Sequence, residues 1–235
     1  MRPPTPTFLS AAIITLAFST PEAWPDAYAI DTENSLIAVI THKAGKFAWL
    51  AHNHLIYAQE YEAELTIDGD DLTTAAFRIE FPAENLVVSD VEGHDRWNSS
   101  ILKAGLLEKP LDKTSAKNRE KIRQNMLSKK QLDAEKYPNI TATLTRLRED
   151  TAEEPGHTHT HLATVEITLH GQTITRDFPA KAALEGDTLT LEAVVSCNFS
   201  DFGIKPYSAL AGAVKNQDFF DFYIILRATR ISTSN

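Results

Sequence analysis

Histidine is the residue type whose spacing most strongly suggests chemistry in this sequence. The chain has eight histidines, and five of them fall in two runs with a spacing of two residues. His52 and His54 form the first run, and His157, His159 and His161 form the second. Because side chains alternate between the two faces of a β-strand, this spacing puts each run on one face. Imidazoles bind Zn²⁺ and Cu²⁺, so a metal site that uses His52 and His54 is one hypothesis.

A purely structural interpretation of both runs stands beside the metal site. The second run follows a polar, mostly acidic stretch over residues 149–155, which favours an exposed hairpin with incidental metal affinity. His52 and His54 lie among apolar residues, where a partly buried imidazole needs hydrogen-bond partners and can simply serve the fold. The sequence lacks Gly-x-Ser-x-Gly, His-Glu-x-x-His, Cys-x-x-Cys and a phosphate-binding glycine loop. We therefore predict no enzyme and no cofactor, with Zn or Cu on the histidines as the alternative.

The elements that position these residues are predicted to be mostly β-strands. Past residue 27, alternating or β-branched runs are separated by turn signals, including those at 69–71, 170–172 and 185–187. The pattern does not alternate strands with helices, so it predicts an all-β fold. We expect a closed antiparallel eight-stranded β-barrel, in which case one of the nine candidate strands is an error. The candidates span residues 35–42, 49–58, 61–68, 75–82, 140–147, 161–170, 173–182, 188–197 and 220–231.

A helical insertion is predicted over about residues 98–136, where Leu, Lys, Ala, Gln and Glu replace the β-branched residues. Thr114 and Ser115 suit a helix cap between two apolar stripes. Residues 103–136 contain ten Lys or Arg against five Asp or Glu, in a chain with a net charge of −9. The segment is either a solvated helical lid or a face for transient contact with an anionic membrane surface. The stripes are Leu102, Leu106, Leu107 and Leu111, then Ile122, Met126 and Leu127.

The beginning of the chain predicts export. Residues 1–23 contain Arg2, an apolar run over 8–18 and then small residues, which is the plan of a signal peptide cleaved near 19–23. The run is too short to cross a bilayer as a helix; a buried apolar N-terminal segment is the alternative. The one cysteine, Cys197, cannot form a disulfide within the chain, which suits a bacterial periplasm. We expect residues 24–235 to form one domain.

Charge and apolar patterning limit the class of partner. A net charge of −9 repels phosphate backbones, so nucleic acid is not an expected partner. A closed eight-stranded sheet either fills its interior with side chains or encloses one apolar small molecule, and alternation alone leaves both open. The predicted interior positions are Phe77, Ile79 and Phe81 on one strand and Leu189, Leu191, Ala193 and Val195 on another.

Four motifs follow one another along the chain. They are the stretch 28–35, the stretch 123–140 ending in Tyr137-Pro138-Asn139-Ile140, Leu169-His170-Gly171-Gln172-Thr173, and the stretch 198–204 with Asp201-Phe202-Gly203-Ile204. In this order they resemble the YceI family of periplasmic lipid- or polyisoprenoid-binding proteins. The likeness covers about residues 28–231, with a longer helical link at 102–121 and Leu132-Asp133 in place of a more aromatic pair. Ala51-His52-Asn53-His54 is similar to a Gly-His-Asp-His segment of some members.

The resemblance implies a lipocalin-like barrel that encloses a long isoprenoid or fatty tail, and it transfers no catalytic residues. The leading hypothesis is an exported carrier or sequestering protein for a polyisoprenoid, a quinone tail or a fatty acyl chain. The alternative is a histidine-based metal- or haem-binding protein with a redox-related role. The sequence indicates no particular oligomeric state.

Overall fold

The computed structural model describes residues 25–152 and 156–231, so the predicted signal peptide lies outside the described residues. The two helices are α1 (Val91–Lys103) and α2 (Ala116–Leu127). The strands are β1 (Asp26–Ile30), β2 (Leu36–Ala44), β3 (His54–Ala58), β4 (Glu62–Asp68), β5 (Asp71–Pro82), β6 (Leu86–Val88), β7 (Asn139–Glu149), β8 (His161–Leu169), β9 (Gln172–Glu185), β10 (Thr188–Asn198), β11 (Ser208–Ala209) and β12 (Val214–Arg230).

Eight of these strands close into an antiparallel barrel, as the sequence predicts. The ring runs β1-β4-β5-β7-β8-β9-β10-β12 and closes because β1 pairs with both β4 and β12. The 17-residue strand β12 also pairs with β2 through residues 215–225, and β3 and β6 continue outward from β2. The ring therefore carries a three-stranded branch beside it.

The nine predicted strands differ from the ring in three respects. First, the predicted strands β2 and β3 exist, but they lie in the branch. Second, the ring is completed by β1, which was not predicted. Its five residues are too few to show a clear alternation. The predicted strand 49–58 begins only at His54, because residues 48–50 form a 3₁₀ turn in which Trp49 is 74% exposed.

The three predicted hairpin turns are confirmed. The connections between β4 and β5, β8 and β9, and β9 and β10 are two residues long and contain Gly69, Gly171 and Gly186. Gly171 has φ +70°, and a Cβ at this position would collide with the Tyr137 ring. Only glycine fits here, because the turn needs a left-handed residue directly against an aromatic side chain.

The predicted helical segment 98–136 contains two separate helices, and the first begins earlier than predicted. Asp90 caps α1, since its side chain accepts a hydrogen bond from the Gly93 amide at 3.0 Å. Asn98, the predicted start, lies within α1, and its side chain accepts the amide of Leu111 at 2.9 Å. Ser115 caps α2 as predicted. Neither helix of the described residues is long and apolar enough to cross a membrane.

Two apolar cores lie on opposite faces of β12. Phe220 and Phe222 point to the barrel interior and pack with Phe178, whereas Tyr223 is fully buried on the outer face. The outer core joins β2, β3 and β12 to α1 through Ile101 and to the segment after α1. The leucines of the first predicted stripe therefore pack α1 and the loop after it against the outer face of the sheet. Leu107 and Leu111 are buried there.

Candidate ligand cavity

The barrel interior contains a cavity of about 150 Å³. Its wall is formed by inward side chains of seven ring strands and of β2, and nearly all of them are aliphatic or aromatic. Small residues such as Ala142, Ala163 and Ala193 make the space, because on a strand of a narrow barrel a larger side chain would fill it. The interior is therefore partly open.

Six of the seven predicted interior residues lie on this cavity wall. They are Phe77, Ile79 and Phe81 of β5 and Leu189, Leu191 and Ala193 of β10. Val195 packs instead against the core cluster that contains Phe178 and Phe220. The alternation along β5 and β10 thus places these side chains inside the barrel, and their part in ligand binding stays a prediction.

A second apolar cavity of about 100 Å³ continues from the first. The two share part of their walls, including Ile37, Phe81 and Phe222. Met126 of α2 and Leu132 enter the wall of the second cavity. The apolar space therefore extends from the middle of the barrel to the underside of α2.

The third cavity, of about 300 Å³, is the mouth, and it is lined by both polar and apolar groups. It shares Ile56, Met126, Leu132 and Phe199 with the second cavity, so the three spaces follow one another. Asn118, Lys121, Ile122, Asn125 and Met126 of α2 line it at helical spacing, which puts one face of α2 over the barrel end.

The mouth wall is unusual in its charge. Lys121 and Lys215 line it, together with His52 and His54, and the described residues place no aspartate or glutamate on it. The whole chain carries 32 acidic side chains. The mouth of this acidic protein is therefore polar, and its described wall contains no carboxylate. It lies next to the apolar cavities of the barrel.

His54 is a mostly buried, neutral imidazole at the mouth. Its Nδ1 lies 3.0 Å from the Ser89 hydroxyl, and its backbone amide donates to Thr41 Oγ1. Burial lowers the pKa of His54 to about 4, and the nearby His52 and His94 add to the effect. Since the charged form is disfavoured, His54 provides a hydrogen-bonding group without a positive charge.

The predicted histidine runs are held by separate partners. His52 Nδ1 lies 3.1 Å from Asp112, and the hydrogen bond from His52 lowers the pKa of that carboxyl. In the second run, His157 Nε2 lies 3.5 Å from Asp150, and His161 Nδ1 lies 2.8 Å from the Thr160 hydroxyl. Across residues 25–152 and 156–231, no three His, Cys, Asp or Glu side chains are grouped as a metal site.

One polar cluster on the outer face was missed in the sequence. The Ser196 hydroxyl donates to Asp221, whose other oxygen lies 2.7 Å from His42 Nε2. Burial would raise the pKa of Asp221, but the hydrogen bonds from His42 and Ser196 lower it. The carboxylate separates the hydroxyl from the imidazole, so His42 cannot take the serine proton as a general base does. The cluster joins β10, β12 and β2.

The end of the barrel away from the mouth is closed by Arg230. Its guanidinium donates to the Tyr28 hydroxyl and to the Gly69 carbonyl, each at 3.2 Å, and it pairs with Asp26, Asp70 and Asp187. Beneath it, Tyr28, Leu65, Ile67 and Leu226 form a buried cluster. Among the described residues, these contacts cover the end of the barrel opposite α2.

An eight-stranded antiparallel barrel with an enclosed apolar channel defines the lipocalin-like class of small-ligand barrels. Residues 28–224 match the family described as the YceI-like domain, and the chain belongs to this family. The family prediction and the predicted fold are thus confirmed. No curated protein matches the chain in sequence.

The solved structures that are similar to this chain are distant from it in sequence. BcnA of Burkholderia cenocepacia is 14% identical with a TM-score of 0.57, and the match covers 86% of this chain and all of BcnA. A YceI protein of Campylobacter jejuni is 12% identical with a TM-score of 0.49, over 75% of this chain and 85% of that one. A polyisoprenoid binding domain from Saccharophagus degradans is 10% identical with a TM-score of 0.47, over 88% and 99% of the two chains.

Proposed function

We propose that the protein is an exported, non-enzymatic carrier that holds one apolar chain inside its barrel. The observation that carries this proposal is the succession of three neighbouring cavities with shared walls, from an apolar interior to a polar mouth. Membership of the YceI-like family supports a binding protein rather than an enzyme. A polyisoprenoid, a quinone tail and a fatty acyl chain are the candidate ligands.

The apolar walls provide enough free energy for binding. Burial of apolar surface contributes about 25 cal/mol per Å², so a few hundred Å² of tail contributes several kcal/mol before ordering costs. Within the described part of the chain, the inner wall has no charged side chain to oppose such a tail. Binding is therefore expected to depend on the apolar area of the ligand.

The volumes favour one chain of moderate length. An apolar cavity of about 150 Å³ holds a benzene-sized molecule, so cavities of about 150, 100 and 300 Å³ together hold roughly 20 carbon atoms. The three spaces together fall within the ~300–1,000 Å³ range that is typical of ligand sites. A single acyl chain or a short isoprenoid fits these volumes, and a longer polyisoprenoid would extend out of the mouth.

The export part of the proposal depends on residues 1–23. A periplasmic location follows if this segment is cleaved, and the mature chain then begins near residues 19–23. N-terminal sequencing of the protein from a periplasmic fraction of a bacterial host tests the cleavage. Recovery of the uncleaved chain from the cytoplasm would contradict export without affecting the binding proposal.

A filled interior tests the binding proposal directly. Ala193 lies on the wall of the inner cavity, and a cavity of about 150 Å³ accommodates a benzene-sized molecule. Ala193→Phe therefore fills most of the space, and we expect it to abolish displacement of a fluorescent fatty acid by palmitate. Mass spectrometry of solvent extracts should also find less co-purified lipid in this variant.

Thr190→Phe is the matched control, because Thr190 lies on the outward face of the same strand. We expect this variant to bind like the wild type. Ala142→Phe repeats the test from β7, in case the first variant does not fold. Wild-type levels of binding in a folded Ala193→Phe or Ala142→Phe variant would contradict the proposal, as would a wild-type protein that binds no apolar probe.

A further inference from the structure

Large exposed apolar side chains are concentrated beside the mouth. Among the described residues, eight large hydrophobic side chains are exposed, and five of them belong to the two segments 47–50 and 207–210. We call these five side chains the mouth patch: Phe47, Trp49, Leu50, Tyr207 and Leu210. Single exposed apolar residues are ordinary, but a group of them in neighbouring loops marks an interaction surface.

Main-chain hydrogen bonds connect each segment of the mouth patch to residues 213–216. The Phe47 amide donates to the Ala213 carbonyl at 2.8 Å, and the Asn216 amide donates to the Tyr207 carbonyl at 3.0 Å. Leu50 and Tyr207 also line the mouth cavity. The patch therefore surrounds part of the opening, and Trp49 and Leu210, with exposures of 74% and 65%, are its most exposed members.

Lysines accompany the mouth patch. Lys46 directly precedes the first segment, Lys205 precedes the second, and Lys121 and Lys215 line the opening. All four are exposed, and none of them takes part in an ion pair among the described residues. Two acidic side chains close in sequence or space to these elements have partners of their own: Asp112 is paired with His52, and Asp218 accepts hydrogen bonds from Ser200.

We propose that the mouth patch inserts into the surface of an anionic membrane and brings the opening of the cavity to the lipid. Tryptophan and leucine side chains partition into the interfacial layer, and lysines beside them attract anionic head groups. The charge of the surrounding lysines favours a lipid surface over an apolar protein partner.

The transfer of a ligand between the membrane and the barrel is the part of this proposal that rests on the proposed carrier function. An apolar chain dissolved in a bilayer reaches the second cavity through the mouth without crossing bulk water. The proposal also changes the membrane contact predicted for residues 103–136. Of the ten basic side chains in that segment, only Lys121 lines the mouth, so insertion depends on the two apolar loops.

Vesicle sedimentation with the full chain tests the mouth patch. The double variant Trp49→Gln/Leu210→Gln removes the two most exposed apolar side chains and leaves the cavity wall unchanged. Burial of one such side chain contributes ~1.5 kcal/mol or more, so we expect at least roughly tenfold weaker binding to phosphatidylcholine vesicles that contain phosphatidylglycerol. Ile231→Gln is the matched control, because Ile231 is 49% exposed at the opposite end of β12.

Fluorescence quenching gives a second measurement. Brominated lipids should quench the wild-type tryptophan emission, and Trp49→Phe should lose most of this quenching while it retains vesicle binding. All variants carry the same residues 1–23, so a difference between them reports the patch. High salt should weaken wild-type binding but leave a residual part that the double variant lacks.

Three results would overturn the proposal. The first is equal vesicle binding by the double variant and the wild type, and the second is an equal loss of vesicle binding in the double variant and in Ile231→Gln. The third is a double variant that loses self-association while its vesicle binding is unchanged. The last result would assign the patch to a protein interface. Displacement of the fluorescent fatty acid in lipid-free buffer separates the two proposals. A double variant that binds the fatty acid normally but not vesicles supports the membrane contact, and a wild type that binds vesicles but no fatty acid contradicts the carrier function alone.

Discussion

The burial of His54 predicts a loss of stability at acidic pH. Its pKa is lowered from 6.5 to about 4 by desolvation, so the unfolded chain takes up a proton below about pH 6.5 and the folded chain does not. The contribution of neutral His54 to the free energy of unfolding is fully present above pH 6.5, and it is lost progressively as the pH falls towards 4. A shift of this size corresponds to about 3 kcal/mol, at ~1.4 kcal/mol for each pKa unit.

Urea denaturation of the wild type and of His54→Gln between about pH 7 and pH 4 measures this effect. The glutamine amide can keep the hydrogen bond to Ser89 and does not titrate. We expect the free energy of unfolding of the wild type to fall by about 3 kcal/mol more than that of the variant over this range. Asp221, whose pKa is lowered, loses its contribution at lower pH and equally in both proteins. Parallel pH curves for the two proteins, or an NMR titration of His54 near pH 6.5, would refute the argument.

Two further predictions concern stability at neutral pH and are measured by urea denaturation. Ile101→Ala should lower the free energy of unfolding by about 2–5 kcal/mol, because Ile101 is fully buried between α1 and the outer face of the sheet; a loss below ~1 kcal/mol would show that α1 contributes little. Gly171→Ala should destabilise more than Gly69→Ala, since both positions have positive φ but only the former meets a ring, that of Tyr137. Equal losses would mean that backbone strain alone requires glycine at residue 171.

Much of the barrel was predictable from the sequence because its signals are local. Alternation along β5 and β10 predicted inward positions, and glycine turns predicted which strands are paired. β1 and β6 were missed, since five and three residues show too little periodicity. The start of α1 was missed because only Ser89 separates Asp90, its cap, from the short strand β6.

The mouth could not be predicted because its residues are distant in the sequence. Thr41, Asn118 and Lys215 become neighbours only when β2, α2 and β12 meet at one end of the barrel. The histidine spacing drew attention to His52 and His54, and both line this opening. Their partners, Asp112 and Ser89, lie 60 and 35 residues away along the chain and give no local signal.

The separation of charge in this molecule also determines how it meets a charged surface. The chain is acidic as a whole, whereas the described mouth wall carries lysines and no carboxylates. Such a distribution makes the mouth more positive than the rest of the chain. Near a negatively charged plane the mouth is attracted and the acidic remainder is repelled, which favours an orientation with the opening towards the plane. Orientation would then precede contact, and the repulsion would keep the attachment brief, as repeated loading and release require.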